Sequence, residues 1–337
     1  RAEVGSRGLG DVYKRQHLVG RSFKYHRPRG FFGAGVEEPN AKLQVEFNGH
    51  SEPNVNATEM ELVEGLSATS QNCWPSVNFD IGAINNFLKM FFPAGFYYKT
   101  FMWPKSFWYK IYEPFIRKAA GLGVASIEKD KERYEHKFEY CDLLVTGSGP
   151  SGLASAYAAA KNGAKVILAE DKPRFGGTLL TDDVSIDNLS GKDWAEKIIT
   201  ELKSMPNVTV KNRSQVFGYY DHNMLVMFER VSDHLEKKSK FTPRQRLWYI
   251  RAKETILSTG SIERPIVFGN NDTPGIFLSA AAKEYMKVYG VLVGKKPLIF
   301  TNNDSAYETA LEFKKNNVEP IIFCLLYTSD AADEVDS

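Results

Sequence analysis

The run Gly147-Ser148-Gly149-Pro150-Ser151-Gly152 carries the clearest chemistry in this sequence. Three glycines at this spacing divide the work of holding a diphosphate. Gly147 permits a tight turn, Gly149 lets the backbone approach a pyrophosphate, and Gly152 lets the following helix sit close to its strand. Such a run is a weak signal alone, so its surroundings decide its meaning. Residues 141–146 before it read as a buried strand. Residues 153–160 after it are mostly strong helix formers, and a helix start offers unpaired N–H groups and the positive dipole end to phosphate. Gly163 stops that helix, residues 165–169 form a second strand, and Glu170 ends it. The acid stands eighteen residues past Gly152, near where a carboxylate accepts from adenosine ribose hydroxyls. Strand, turn, helix, strand and acid occur in order, which predicts a dinucleotide-binding unit.

Glu170 also bears on which dinucleotide binds. A carboxylate there repels a 2′-phosphate and favours NAD or FAD over NADP, although Lys172 and Arg174 follow closely and would soften that exclusion. Gly176-Gly177-Thr178 supplies a second backbone nest, with a hydroxyl for the pyrophosphate. Residues 254–260 form a strand ending in Thr259-Gly260, of the kind that returns beneath the first nucleotide in two-dinucleotide oxidoreductases. A second βα unit starts near Val291, but its loop reads Thr301-Asn302-Asn303-Asp304-Ser305 and holds no glycine, so no second dinucleotide is expected there. No catalytic constellation stands out. His26 sits in a basic run and reads as structural or interfacial, while His136, His222 and His234 have no partner at catalytic or metal-ligand spacing. The three cysteines, Cys73, Cys141 and Cys324, form no close pair, which excludes a local four-cysteine metal framework and suits a reducing cytoplasm.

The elements that must position this site fit a chain of 337 residues with 43% apolar and 25% charged composition, enough for two globular domains. The net charge of +2 is too small to imply nucleic acid or an anionic membrane, and no apolar run is long enough to span a bilayer. The expected fold is α/β, a Rossmann-like dinucleotide-binding domain of the two-dinucleotide flavoprotein type preceded by a small β-containing module. Residues 17–86 form that module, residues 141–290 the dinucleotide domain, and residues 291–323 the start of a degenerate second unit. Between them, residues 87–140 combine an aromatic wrapping segment with a charged linker. Thirteen aromatics lie in residues 87–115, interleaved with lysines and broken by Pro93, Pro104 and Pro114. Stacking on single-stranded nucleic acid is one reading of this mixture. Packing on the protein or on a partner subunit is the more ordinary one, with part of the segment lying across the dinucleotide domain.

Both ends look foreign. Asp11-Val12-Tyr13-Lys14-Arg15-Gln16 can be encoded by GATGTGTATAAGAGACAG, whose reverse complement, read one base on, encodes Cys324-Leu325-Leu326-Tyr327-Thr328. One DNA word, similar to a transposon-end sequencing adapter, accounts for both. Residues 1–16 and 324–337 are therefore expected to be non-native tails, and the native sequence to be a fragment.

Two further stretches carry a family resemblance. Gly20-Arg21-Ser22-Phe23-Lys24-Tyr25-His26-Arg27-Pro28-Arg29-Gly30 resembles the ferredoxin-like N-terminal module of amine-oxidising dehydrogenase subunits. Ser70-Gln71-Asn72-Cys73-Trp74-Pro75-Ser76, followed by the aromatic stretch from Phe92 to Pro104, resembles the alpha subunit of heterotetrameric sarcosine oxidase. The resemblance implies a cytoplasmic complex with beta, gamma and delta subunits that oxidatively demethylates sarcosine to glycine with oxygen and tetrahydrofolate. It implies NAD on this chain, FAD and FMN elsewhere in the complete complex, and sarcosine and tetrahydrofolate bound outside this fragment, which alone would be inactive. The NAD contacts it implies fall on Ser151, Glu170, Asp171, Lys172, Thr178 and Val216. Relatives with an iron–sulfur cluster need cysteines in the N-terminal module, and residues 17–71 have none. Two other readings stand beside this one. The chain could be the FAD-binding subunit of a related opine or amino-acid dehydrogenase, or a non-catalytic NAD-binding scaffold.

Overall fold

The computed structural model describes residues 18–47, 49–91, 95, 101 and 103–325; the expected N-terminal tail and residues 326–337 lie outside them. In the N-terminal module, β1 (Lys42–Phe47) is the centre of a three-stranded antiparallel sheet, with β2 (His50–Asn56) on one side and β3 (Ser67–Ser70) on the other. Short helical turns and one two-turn helix, α1 (Glu113–Ala120), follow. Gly121 closes α1 in the left-handed region, the conformation in which a glycine carries no Cβ penalty.

The dinucleotide domain is built on one six-stranded sheet. Its members are β4 (Tyr134–Thr146), β5 (Val166–Ala169), β6 (Val208–Lys211), β7 (Ser214–Tyr220), β8 (Met224–Arg230) and β9 (Gln245–Leu257), in the order β6-β5-β4-β9-β8-β7. The first four in that order run parallel, and β8 and β7 return antiparallel as a meander. Parallel strands need crossovers. These are supplied by α2 (Pro150–Lys161) between β4 and β5, and α3 (Gly191–Ser204) between β5 and β6. Both helices bury an apolar stripe on one face of the sheet, where Leu153, Ala156, Ile198 and Leu202 meet Val145, Val166 and Leu168. Leu225, Met227, Trp248 and Ile250 form a second core with Cys141, Leu144 and Ile167, so the sheet is covered on both faces.

The charged stretch expected to be linker up to Tyr140 is corrected here, because β4 already begins at Tyr134. Tyr134, His136, Phe138 and Tyr140 alternate with Glu135, Lys137 and Glu139, the two-residue period of a strand hidden under high charge. Its partner is the first half of β9, and Tyr249 there stacks on Phe138 with ring centroids 4.9 Å apart.

Past the dinucleotide domain, α4 (Ser279–Lys287) packs beside α5 (Ala306–Lys315), which joins the parallel strands β10 (Leu298–Thr301) and β11 (Ile321–Cys324). Cys324, expected to open the C-terminal tail, is the last residue of β11 and faces Thr301 across the ladder. No helix among the described residues is long and apolar enough to cross a membrane.

Candidate dinucleotide-binding site

The end of β4 turns sharply into α2, and each glycine of the turn meets a different constraint. Gly147 has φ +95°, and a Cβ there would stand 2.2 Å from the carbonyl oxygen of Ser258, the residue after β9. Ser258 also donates its N–H to Thr146 at 2.7 Å, so β9 returns directly beneath the loop. A Cβ on Gly152 would stand 2.0 Å from the carbonyl oxygen of Gly147, which fixes how closely α2 sits on the strand end. Gly149 differs. Its φ of −67° and ψ of −177° suit any residue, and nothing lies within 4 Å of the place a Cβ would take. The protein itself has no need of glycine there. Gly149 is the N-cap of α2, Pro150 follows it, and no side chain caps the helix start. The first N–H groups therefore remain available to an anion in that open space.

Glu170 reaches back to this loop from the end of β5. Its carboxylate accepts from the Ser148 N–H at 2.9 Å, the Ser148 hydroxyl at 2.5 Å and the Lys172 N–H at 3.1 Å. Burial raises the Glu170 carboxyl to about 7, with Asp171 adding to the rise and the Ser148 donors opposing it. Ser148 is itself fully buried and binds the second glycine loop, since the Gly176 N–H donates to its carbonyl and hydroxyl oxygens at 3.1 and 3.2 Å. Gly177, at φ +53°, passes so close that a Cβ would come within 2.9 Å of the Gly149 Cα. Three loops thus converge on one serine.

Of the residues singled out from the sequence, Gly147, Gly149, Gly152 and Glu170 meet at this point. Ser151 is exposed in the first turn of α2, and Thr178 is exposed in the turn beside Gly177. Val216 belongs to β7, two residues past the Ser214 N–H that donates to the Glu170 carbonyl at 2.7 Å. Asp171 offers its carbonyl to Arg230 at 2.9 Å. The Lys172 ammonium stands 2.8 and 3.0 Å from the two carboxylate oxygens of Glu284 on α4. Burial works against that ammonium, but the attraction of Glu284 holds its pKa above the usual lysine value. Arg174 is also engaged, donating to the Val288 carbonyl at 3.3 Å. Glu284 thus offsets the charge of Lys172, whereas Arg174, bonded to a neutral carbonyl, keeps its own. Ser148 is the residue that reading the sequence missed. Its signal was a small hydroxyl between the first two glycines, within reach of the acid that ends the next strand.

Residues 142–225 match the family model described as FAD dependent oxidoreductase, and residues 12–73 match 2Fe-2S iron-sulfur cluster binding domain. Such a cluster needs at least two thiolate ligands, and ordinarily four. Cys73 is the single cysteine in that stretch, so the residues do not fit the cluster although the module keeps the ferredoxin-like fold. Among the described residues, no group of three or more His, Cys, Asp or Glu stands together as a metal site.

The solved structure of L-proline dehydrogenase from P. horikoshii superposes with a TM-score of 0.57 at 18% identity, covering 91% of this chain and 47% of that one, which shows a shared fold. An opine oxidase chain of Agrobacterium tumefaciens (strain Ach5) is 27% identical over 174 residues, covering 48% of this chain and 33% of that protein. The sarcosine oxidase alpha subunit of Rhizobium meliloti (strain 1021) is 51% identical over 304 residues, covering 90% of this chain and 31% of that protein. The chain thus spans about a third of the length of that relative. Over the residues it shares with them, the chain is homologous to the alpha subunits of sarcosine oxidase.

Proposed function

We propose that this chain is the NAD-binding part of the alpha subunit of a heterotetrameric sarcosine oxidase, a cytoplasmic enzyme that demethylates sarcosine to glycine using oxygen and tetrahydrofolate. In this reading FAD and FMN belong to the complete assembly with its beta, gamma and delta subunits. Sarcosine and tetrahydrofolate bind outside the present residues. The observation that supports the nucleotide assignment is the open space at Gly149, at the uncapped start of α2 and beside the buried acid Glu170. Gly147 and Gly152 shape the loop. Gly149, the Ser151 end of α2 and the Gly177–Thr178 turn would face the pyrophosphate, Glu170 the adenosine ribose, and Asp171, Lys172 and Val216 the adenine end. NAD, when bound, supplies a hydride-accepting nicotinamide, while this chain's own groups bind and orient it.

FAD has the same ADP half, and the match of residues 142–225 to an FAD dependent oxidoreductase family favours a second reading in which flavin occupies this loop. That reading suits an opine or amino-acid dehydrogenase subunit. One measurement separates the two. The purified chain is denatured and the released nucleotide identified by chromatography, with the absorbance spectrum taken beforehand. NAD without flavin bands supports the first reading, flavin bands the second. Release of neither, with no binding of added NAD, would leave a scaffold without a dinucleotide.

A further inference from the structure

We propose that the face carrying Trp74, Phe87, Trp103 and Phe115 is the docking surface for a companion protein whose own face is apolar at its centre and acidic at its rim. The inference rests on the reading of this chain as one subunit of an oxidase. Those four rings are between 68% and 85% exposed. Large aromatic side chains left in water together mark an interaction site more often than a solvated surface.

The face is fixed from behind. Asn85 donates to the Lys24 carbonyl at 3.4 Å, ahead of the aromatic run. Beyond α1, Gly123 and Val124 donate their N–H groups to Asn54 and Gln44 of the N-terminal sheet, at 3.3 and 3.2 Å. Between these anchors, the Tyr112 hydroxyl ties back to the Trp103 carbonyl at 3.0 Å. The Gly121 that ends α1 lies against Asn72, where a Cβ would stand 2.5 Å from the Asn72 Cα. Asn72 in turn donates to the Arg21 and Ser22 carbonyls, so Trp74, two residues on, projects from a held backbone beside the end of α1.

Charge identifies the occupant. Lys89, Lys105, Lys110 and Lys118 are exposed and make no ion pair among the described residues. Arg117 pairs with Glu113, which is the only acid from residue 87 to residue 120. The rim is therefore cationic, and an acidic rim opposite would complement it. A second copy of the chain meeting the same face across a two-fold axis would set cation against cation. A lipid surface prefers rings gathered on one face of a continuous amphipathic helix. Here Trp74 and Trp103 lie outside any helix and Phe87 ends a separate one-turn helix, so only Phe115 belongs to the helical run that passes from Trp108–Tyr112 into α1.

The test uses the full chain produced together with the companion subunits of its own oxidase. A photo-crosslinking phenylalanine analogue replaces Trp103 in one variant and Tyr109 in another, and cross-linked peptides are sequenced. Cross-links to one of those companions, at peptides bearing Asp or Glu, are expected. In parallel, the double variant Lys105→Glu, Lys110→Glu should weaken that association at least tenfold at low salt while leaving thermal stability and nucleotide content unchanged. Cross-links confined to this chain or to a second copy would overturn the proposal. So would an unweakened association combined with loss of binding to phosphatidylserine vesicles. A chain that holds its companions but releases no dinucleotide would instead sink the nucleotide reading and leave this surface standing.

Discussion

Ser148 holds Glu170 from two directions, because its N–H and its hydroxyl donate to the same carboxylate oxygen at 2.9 and 2.5 Å. The same hydroxyl oxygen accepts from Gly176 at 3.2 Å. Ser148→Ala removes one donor from a buried carboxylate and one acceptor from a buried N–H. Losses of this kind cost about 1–3 kcal/mol. NAD affinity, measured by titration calorimetry, should fall by about tenfold or more, and the melting temperature should drop as well. Unchanged affinity would mean that the serine does not set the acid's position.

The titration of Glu170 gives a pH dependence with a definite sign. Ribose hydroxyls donate most strongly to an ionised carboxylate, whereas burial raises this carboxyl from its usual 4.5 to about 7. Nucleotide affinity should therefore weaken as pH falls below about 7, by at most tenfold per unit for one coupled proton. Stability of the unliganded chain runs the other way. A folded-state value above the unfolded one gives a contribution that is fully present below 4.5 and lost as pH rises through about 7. Binding titrations and melting curves across that window test both trends, and Glu170→Gln should flatten them. If the Gln variant kept the wild-type profile, another group would be responsible.

The two inner glycines should separate folding from binding. At Gly149 the backbone is ordinary and the space open, so Gly149→Val should melt close to wild type yet no longer copurify with NAD. At Gly152 a Cβ would stand 2.0 Å from a main-chain oxygen, so Gly152→Ala should itself destabilise the fold by about 1–3 kcal/mol, as overpacking does. A Gly149→Val chain that retained its nucleotide would remove the glycine loop from the proposal.

These contrasts also mark how far the sequence could be read. Gly147, Gly149, Gly152 and Glu170 were legible because each acts through its spacing along one local βαβ unit. Elements set by distant partners were harder to see. Residues 134–140 alternate as a strand, but their ladder partner lies about a hundred residues later in β9, and their charge imitates a linker. Ser148 acts only through Glu170 and Gly176, which the fold brings to it from two other loops. The pairing of Lys172 with Glu284 joins residues 112 positions apart, which no local pattern announces.

That last pair yields a prediction about coenzyme choice. In the proposed function Glu170 discriminates against a 2′-phosphate, and Lys172, two residues on, is a cation that would oppose it. The Lys172 ammonium is engaged by both oxygens of Glu284, and its stem lies 3.6 Å from where a Cβ on Gly35 would stand. Glu284→Ala should release that ammonium toward the ribose without touching the glycine loop. For a partly exposed pair worth about 1 kcal/mol, NADP affinity should rise relative to NAD by about fivefold. The double variant Glu284→Ala, Lys172→Ala should cancel the gain, because the released charge is then absent. Competition titrations of NAD against NADP on the three proteins give the comparison directly. A ratio that stays constant through the series would show that Lys172 lies too far from the ribose to influence it, and would leave Glu170 as the sole determinant of the choice.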